Sequence, residues 1–296
     1  MPPSLHGASN LQQNGESRWH RHLLPRSRQP GKSIGSAPAR FPTSSIMFKN
    51  LMTALSDRLH LVAPDFPGFG FSAFPPKDEF EYTFRNIGAC MNRFTEEINL
   101  KQFTIYLHDY GCPVGLQICI HHPEKITGII VQNGNAYEEG VAGIWDEMRA
   151  YWANPTPEKK KELYGFLSEE GVKWQYTAGV PEALLPTLSP ELWVLDWDSM
   201  KRPGNIDMQY ELNCDYANHI ASFPVFQAYF RKHQPRTIVI WGKYDPFFNV
   251  EEAACYRRDL PNAEIHLIEG SHWVLETNFD EVLRLISNFF TPAATQ

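Results

Sequence analysis

The sequence predicts an α/β fold, with a mostly parallel sheet, helices on both of its faces and a helical insertion in the second half. Three observations carry this expectation. Short apolar runs of strand length alternate with segments of helical period over residues 41–135, and again from about residue 225 to the C-terminus. Over residues 136–224 the alternation stops, and Trp and Tyr crowd among breaks at Pro155, Pro157, Pro181, Pro186, Pro190 and Pro203. Finally, the apolar, β-branched run Thr104-Ile105-Tyr106-Leu107 breaks at His108-Asp109-Tyr110-Gly111 and resumes as an apolar-rich helical segment from Leu116 to His122. A strand, a tight turn and a helix in that order expose one residue at the top of a sheet, beside a helix N-terminus. That residue is Asp109.

Taken in order, residues 1–40 hold six Lys/Arg and one acidic residue, Glu16. They are rich in Ser, Pro, Gly and Gln, lack apolar periodicity, and read as a disordered basic segment. The Arg-rich, acid-poor composition also suggests a mitochondrial transit peptide, but no amphipathic helix supports one. Phe41-Pro42-Thr43-Ser44-Ser45 is a turn. Met47 to Leu55 follows as a helix with Met47, Phe48, Leu51, Met52 and Leu55 on one face. Leu59 to Pro64 is a short strand, and Asp65 to Ser72 a Gly/Pro-rich turn. Phe84 to Ile98 is helical. Ile126 to Gln132 is a strand ended by Asn133-Gly134-Asn135. Strands return at Thr237 to Trp241 and Ala263 to Ile268, and Asp280 to Phe290 is a final helix. The expected organisation is therefore a core of 41–135 and 225–296, interrupted by a helical cap at 136–224.

Composition narrows the function. The 296 residues are 43% hydrophobic, ample for a sizeable core, and the net charge of −7 gives no reason to expect nucleic acid. Five scattered cysteines, without a CxxC pair or metal spacing, fit a reduced, cytoplasmic setting. No apolar run approaches the ~18 residues of a membrane helix. No GxGxxG follows a strand and no P-loop occurs, so no cofactor is expected. His121-His122 is an adjacent pair whose members point to different faces, which does not suit a metal. The expected partners are a small-molecule substrate and water; an oligomer is left open.

A carboxylate at the exposed turn needs no base to activate it, being ionised near neutral pH. It can displace a leaving group from carbon and form an ester, which water must then cleave with the help of a base. Alternatively, Asp109 caps the following helix. Two late loops supply what the ester needs. Trp241-Gly242-Lys243-Tyr244-Asp245-Pro246 offers Asp245, and Glu269-Gly270-Ser271-His272-Trp273 offers His272. Singly, Asp245 reads as a turn-former and His272 as a loop histidine. Both nevertheless follow strands, at the same sheet edge as Asp109, where ligands bind in open α/β sheets. The chain order is nucleophile, acid, histidine.

On these residues, with Asp65-Phe66-Pro67-Gly68-Phe69-Gly70-Phe71-Ser72, the chain from Phe41 onward resembles an α/β-hydrolase of the epoxide hydrolase and haloalkane dehalogenase branch. The resemblance implies the α/β-hydrolase fold, with its helical cap inserted after the sixth strand. It implies that Asp109 attacks a substrate carbon, that His272 activates water against the ester, and that Asp245 holds His272 in the needed tautomer. Backbone N–H groups of Tyr110 and Phe41 would form the oxyanion hole. Tyr151 and Tyr229 stand near the family's acid-donor tyrosines. A dehalogenase would instead grip its halide with an indole N–H, for which Trp152 or Trp174 is available. Tyr110 occupies the place where dehalogenases have tryptophan, which favours the epoxide hydrolase-like function over the dehalogenase or another hydrolase.

The chain also departs from the family. Leu107 replaces a small residue two before the nucleophile, so an altered turn is expected. Ala39-Arg40 replaces the His-Gly before Phe41, and nothing earlier reads as the family's first three strands. The third of those lies beside the nucleophile strand. Either residues 1–40 supply an unrecognised strand, or the strand at Thr104 lacks a neighbour and the chain is an inactive or truncated form.

Overall fold

The structure, a computed structural model, describes residues 33–36 and 44–291. In chain order its elements are β1 (Ser33–Ser36), α1 (Lys49–Leu55), β2 (His60–Val62), α2 (Phe84–Glu97), β3 (Phe103–His108), α3 (Gly111–His121) and β4 (Ile126–Gln132). Helices α4 (Ile144–Ala153), α5 (Pro157–Phe166), α6 (Glu169–Thr177), α7 (Glu191–Met200), α8 (Asn205–Ala221) and α9 (Phe223–His233) follow. The chain then returns through β5 (Arg236–Gly242), α10 (Glu251–Asp259), β6 (Glu264–Ile268), α11 (Val274–Thr277) and α12 (Phe279–Phe290). All described strand pairs are parallel, in the order β2-β1-β3-β4-β5-β6.

The central strands are buried on both faces, which is why they read as near-continuous apolar runs. Every residue of β3 is buried. Its side chains alternate between two apolar clusters, Ile105 and Leu107 in one and Tyr106 in the other. β4 and β5 divide likewise: Ile129, Val131, Val239 and Trp241 face one cluster, and Ile130, Ile238 and Ile240 the other. Helices α2 and α3 cover the first face with Ile87, Met91, Val114 and Ile118. On the second, Leu51 and Leu55 of α1 meet Leu285, Ile286 and Phe289 of α12. The α2 start follows from Thr83, whose hydroxyl accepts from Asn86 N at 3.2 Å.

One expectation is corrected here. Residues Ser33–Ser36 form β1, so the first forty residues do contribute a strand, and of the two alternatives posed by the sequence the first holds. β1 lies between β2 and β3, with Ile34 opposite both Leu61 and Thr104. β3 therefore has neighbours on both sides. The remainder of residues 1–40 lies outside the described residues, apart from this strand. Leu107, expected to alter the turn, is fully buried within the first cluster and the turn after it forms. α8, at 17 residues, touches α2, α4, α5, α7 and α9, and so ties the helical insertion to the body. No helix among the described residues is long and apolar enough to cross a membrane.

Candidate active site

β3 ends at His108, and the chain enters α3 through Asp109 at φ 46°. A non-glycine residue in this left-handed region is held there by its surroundings. Asp109 N donates to Asn133 O at 3.2 Å, and Cys112 N donates to Asp109 O at 2.8 Å. Tyr110 N donates to Asp109 Oδ1 at 2.6 Å. Asp109 is not the cap of α3: Tyr110 occupies that position, without a side-chain capping bond.

The ends of β5 and β6 bring Asp245 and His272 to the same edge. His272 is fully buried, and its Nδ1 bonds Asp245 Oδ2. On the other side of the ring, Nε2 lies 3.3 Å from Asp109 Oδ2 without the alignment of a hydrogen bond. The imidazole is packed between His108, at 4.5 Å between centroids, and Phe247 and Phe248, at 5.5 Å and 5.3 Å. Asp245 Oδ1 accepts from the backbone N–H of Phe247 (2.7 Å) and Phe248 (3.2 Å). All three triad candidates of the sequence thus meet. Asn133, which the sequence suggested only as a strand terminator, joins them: its Nδ2 donates to Asp245 Oδ2 at 2.7 Å.

Above Asp109 lies a cavity of about 90 Å³, counted as the space open to the centre of a water molecule. At roughly 10–15 Å³ per water on that measure, it has room for a small organic molecule. Ile144, Trp145, Met148, Phe247 and Phe248 make most of an apolar wall; the polar lining is Asp109, Tyr110, Gln175, Tyr210 and Asn213. No Lys or Arg is among the lining residues, so nothing there would compensate an anionic substrate.

The structure places the expected acid donors away from this lining. Neither Tyr151 nor Tyr229 is among the residues lining the cavity. Tyr151 packs edge-on against Tyr210 at 6.0 Å, and the Tyr229 phenol meets the Cys119 thiol of α3. Helical spacing places a residue on an element but does not say which face the fold turns inward. The phenols lining the cavity are Tyr110 and Tyr210, the latter on α8 and missed in the sequence. The suggested indoles are absent from the lining too: Trp152 Nε1 is buried elsewhere, and Trp174 is 42% exposed. Trp145 does line the cavity, but its Nε1 donates to Phe247 O. Phe41, the second expected oxyanion donor, lies outside the described residues. No grouping of His, Cys, Asp and Glu suited to a metal occurs among the described residues.

Residues 41–279 match the family model described as alpha/beta hydrolase fold. An uncharacterized hydrolase of Saccharomyces cerevisiae is 35% identical over 254 residues, covering 84% of this chain and 86% of its own. A cis-3-alkyl-4-alkyloxetan-2-one decarboxylase of Shewanella oneidensis is 25% identical over 269 residues, covering 86% of this chain and 80% of its own. Among solved structures, the epoxide hydrolase CorEH superposes with a TM-score of 0.71 over 88% of this chain and 92% of its own; at 15% identity, that likeness speaks to the fold.

Proposed function

Because the chain belongs to the alpha/beta hydrolase fold family and is a hydrolase, we propose that it is an epoxide hydrolase-like enzyme working through an ester of Asp109. The observation that carries this is the posture of one carboxylate. Asp109 Oδ1 is held by the Tyr110 N–H, while Oδ2 faces His272 Nε2 at 3.3 Å on the floor of an apolar cavity. Oδ2 is then the attacking oxygen. Oδ1 becomes the carbonyl oxygen of the ester, already on the donor that must stabilise it when water adds. His272 Nε2 takes the proton of that water, and Asp245 fixes Nδ1–H.

The substrate is small, uncharged and largely apolar, since the lining offers no cation and is mostly aromatic and aliphatic. Helices α4 to α8 serve as the cap. The Shewanella relative is named as a decarboxylase of an oxetan-2-one, which is, like an epoxide, a strained oxygen ring. A haloalkane dehalogenase needs an N–H to grip the halide, and the lining indole is engaged by Phe247 O. Five free cysteines suit the reduced interior of a cell, in keeping with a cytoplasmic protein. The His272→Gln protein tests the proposal: an epoxide should leave a lasting adduct on Asp109, and hydrolysis that survives Asp109→Ala would overturn it.

A further inference from the structure

Two phenols reach the cavity above Asp109, and they differ in how they are held. Tyr210 is half-buried, its ring stacked on Tyr164 at 5.5 Å, with Lys160 Nζ 4.4 Å from its centroid, so the outer helices claim it. Tyr110 is buried directly beside the nucleophile. Its ring is fixed edge-on against Phe84 at 4.9 Å and inclined on Tyr216 at 5.9 Å. Its hydroxyl meets the side-chain amide of Asn213 on α8. Asn213 Oδ1 is buried with no hydrogen-bond partner among the described residues. The amide therefore approaches the phenol through its NH₂, as donor to the phenol oxygen.

Resting on the Asp109 ester proposed above, we infer that Tyr110 is the proton donor to the leaving oxygen and that Asn213 positions it, which suits the site to strained cyclic ethers rather than to haloalkanes. A phenol that accepts from an amide keeps its own proton to give. In the first step Asp109 Oδ2 bonds to a ring carbon and the C–O bond breaks. Its electron pair goes to the ring oxygen, which takes the Tyr110 proton. The resulting phenolate is held by the Asn213 N–H. In the second step water gives a proton to His272 and its oxygen to the ester carbonyl carbon. The adduct collapses with release of the alkoxide, which takes the carboxylic proton, so Asp109 returns to carboxylate. The proton on His272 then restores Tyr110. The sum is epoxide plus water to diol.

Charge and timing agree with this order. Burial, and then the Asp109 charge beside it, hold the phenol proton on well above the ordinary tyrosine range. Alkylation removes that carboxylate charge as the ring oxygen comes to need a proton, so the phenol gains acidity when it is used. A halide leaves as an anion and does not take that proton.

The test is pre-steady-state kinetics on the full chain with styrene oxide, separating ester formation from ester hydrolysis. Tyr110→Phe should slow ester formation by about 10²–10⁴. Asn213→Leu, which keeps the phenol but removes its amide donor, should slow the same step about fivefold to tenfold. Ester hydrolysis should be unchanged in both, because the Tyr110 backbone N–H survives either substitution; a general packing defect would not split the two steps. Ester formation at the parental rate in Tyr110→Phe, or its loss in Tyr210→Phe alone, overturns the inference while leaving the Asp109 ester intact. If Tyr110→Phe does not fold, the Asn213→Leu arm decides. No adduct on Asp109 from styrene oxide in His272→Gln overturns the ester and, with it, the inference.

Discussion

Asn133 holds more of the site than its neighbours in sequence suggest. It sits at φ 41°, a conformation that asparagine tolerates better than most residues. Its Nδ2 donates to Asp245 Oδ2 at 2.7 Å while its Oδ1 accepts from Gly242 N at 3.0 Å. It therefore clamps the end of β4 to the end of β5 and supplies one of the donors that stabilise a buried carboxylate. Asn133→Ala should lower unfolding stability by about 1–3 kcal/mol, because Gly242 N–H is left buried without its acceptor. It should also slow ester hydrolysis more than ester formation, since only the former depends on Asp245; single-turnover kinetics with both steps unchanged would contradict this. Asp109, Asp245 and His272 were legible because their residue types are chemically distinctive and each follows a strand at one sheet edge. Asn133 was not, since an Asn-Gly-Asn run after a strand reads as a turn. Tyr210 and Asn213 were not either: which face of a 17-residue helix lines a cavity is decided by what packs on the other faces.

At the scale of elements, the long apolar strands were legible and β1 was not. An inner parallel strand ordinarily reads as a Val/Ile/Leu run, whereas β1 is Ser-Ile-Gly-Ser. Parallel pairing runs through main-chain N–H and C=O groups, which every residue but proline supplies in full. Four residues, of which Ile34 and Gly35 have registered partners on both sides, are therefore enough, even where composition gives no signal. The open middle that the sequence led one to expect, with its exposed edge on β3, is closed. Ile34→Pro removes an N–H from within this inner ladder and should lower stability by about 1–3 kcal/mol. The readout is a lower urea midpoint at unchanged slope; a parental midpoint would mean that β1 contributes nothing to the sheet.

For the whole molecule, alternation of strand and helix declared the layered architecture, but stability against pH depends on burial that no local pattern reveals. Glu276 on α11 is half-buried, and its Oε1 is buried with no hydrogen-bond partner among the described residues. Burial raises its carboxyl from 4.5 to about 7, Lys49 pulls it down and Glu191 pushes it up. Below about pH 4.5 both folded and unfolded chains keep the proton. Between there and about pH 7 the unfolded chain ionises first, so this group makes the fold less stable as pH rises; above that window its effect is constant. Glu276→Gln should remove this slope and leave the protein more stable at pH 8, by on the order of 2 kcal/mol. Urea midpoints from pH 4.5 to 8 that fall in parallel for parent and variant would contradict the assignment.

The ester on Asp109 is what the rest of the site serves, and the most direct measurement of it is intact-protein mass spectrometry of the His272→Gln chain after exposure to styrene oxide. Without the imidazole, ester formation should proceed and its hydrolysis stall. The expected result is a gain of one substrate mass per chain, mapped to the peptide that contains Asp109 and absent from the Asp109→Ala, His272→Gln double variant. An unmodified His272→Gln chain in the presence of a parent protein that turns the epoxide over, or an adduct on any other residue, would contradict the account.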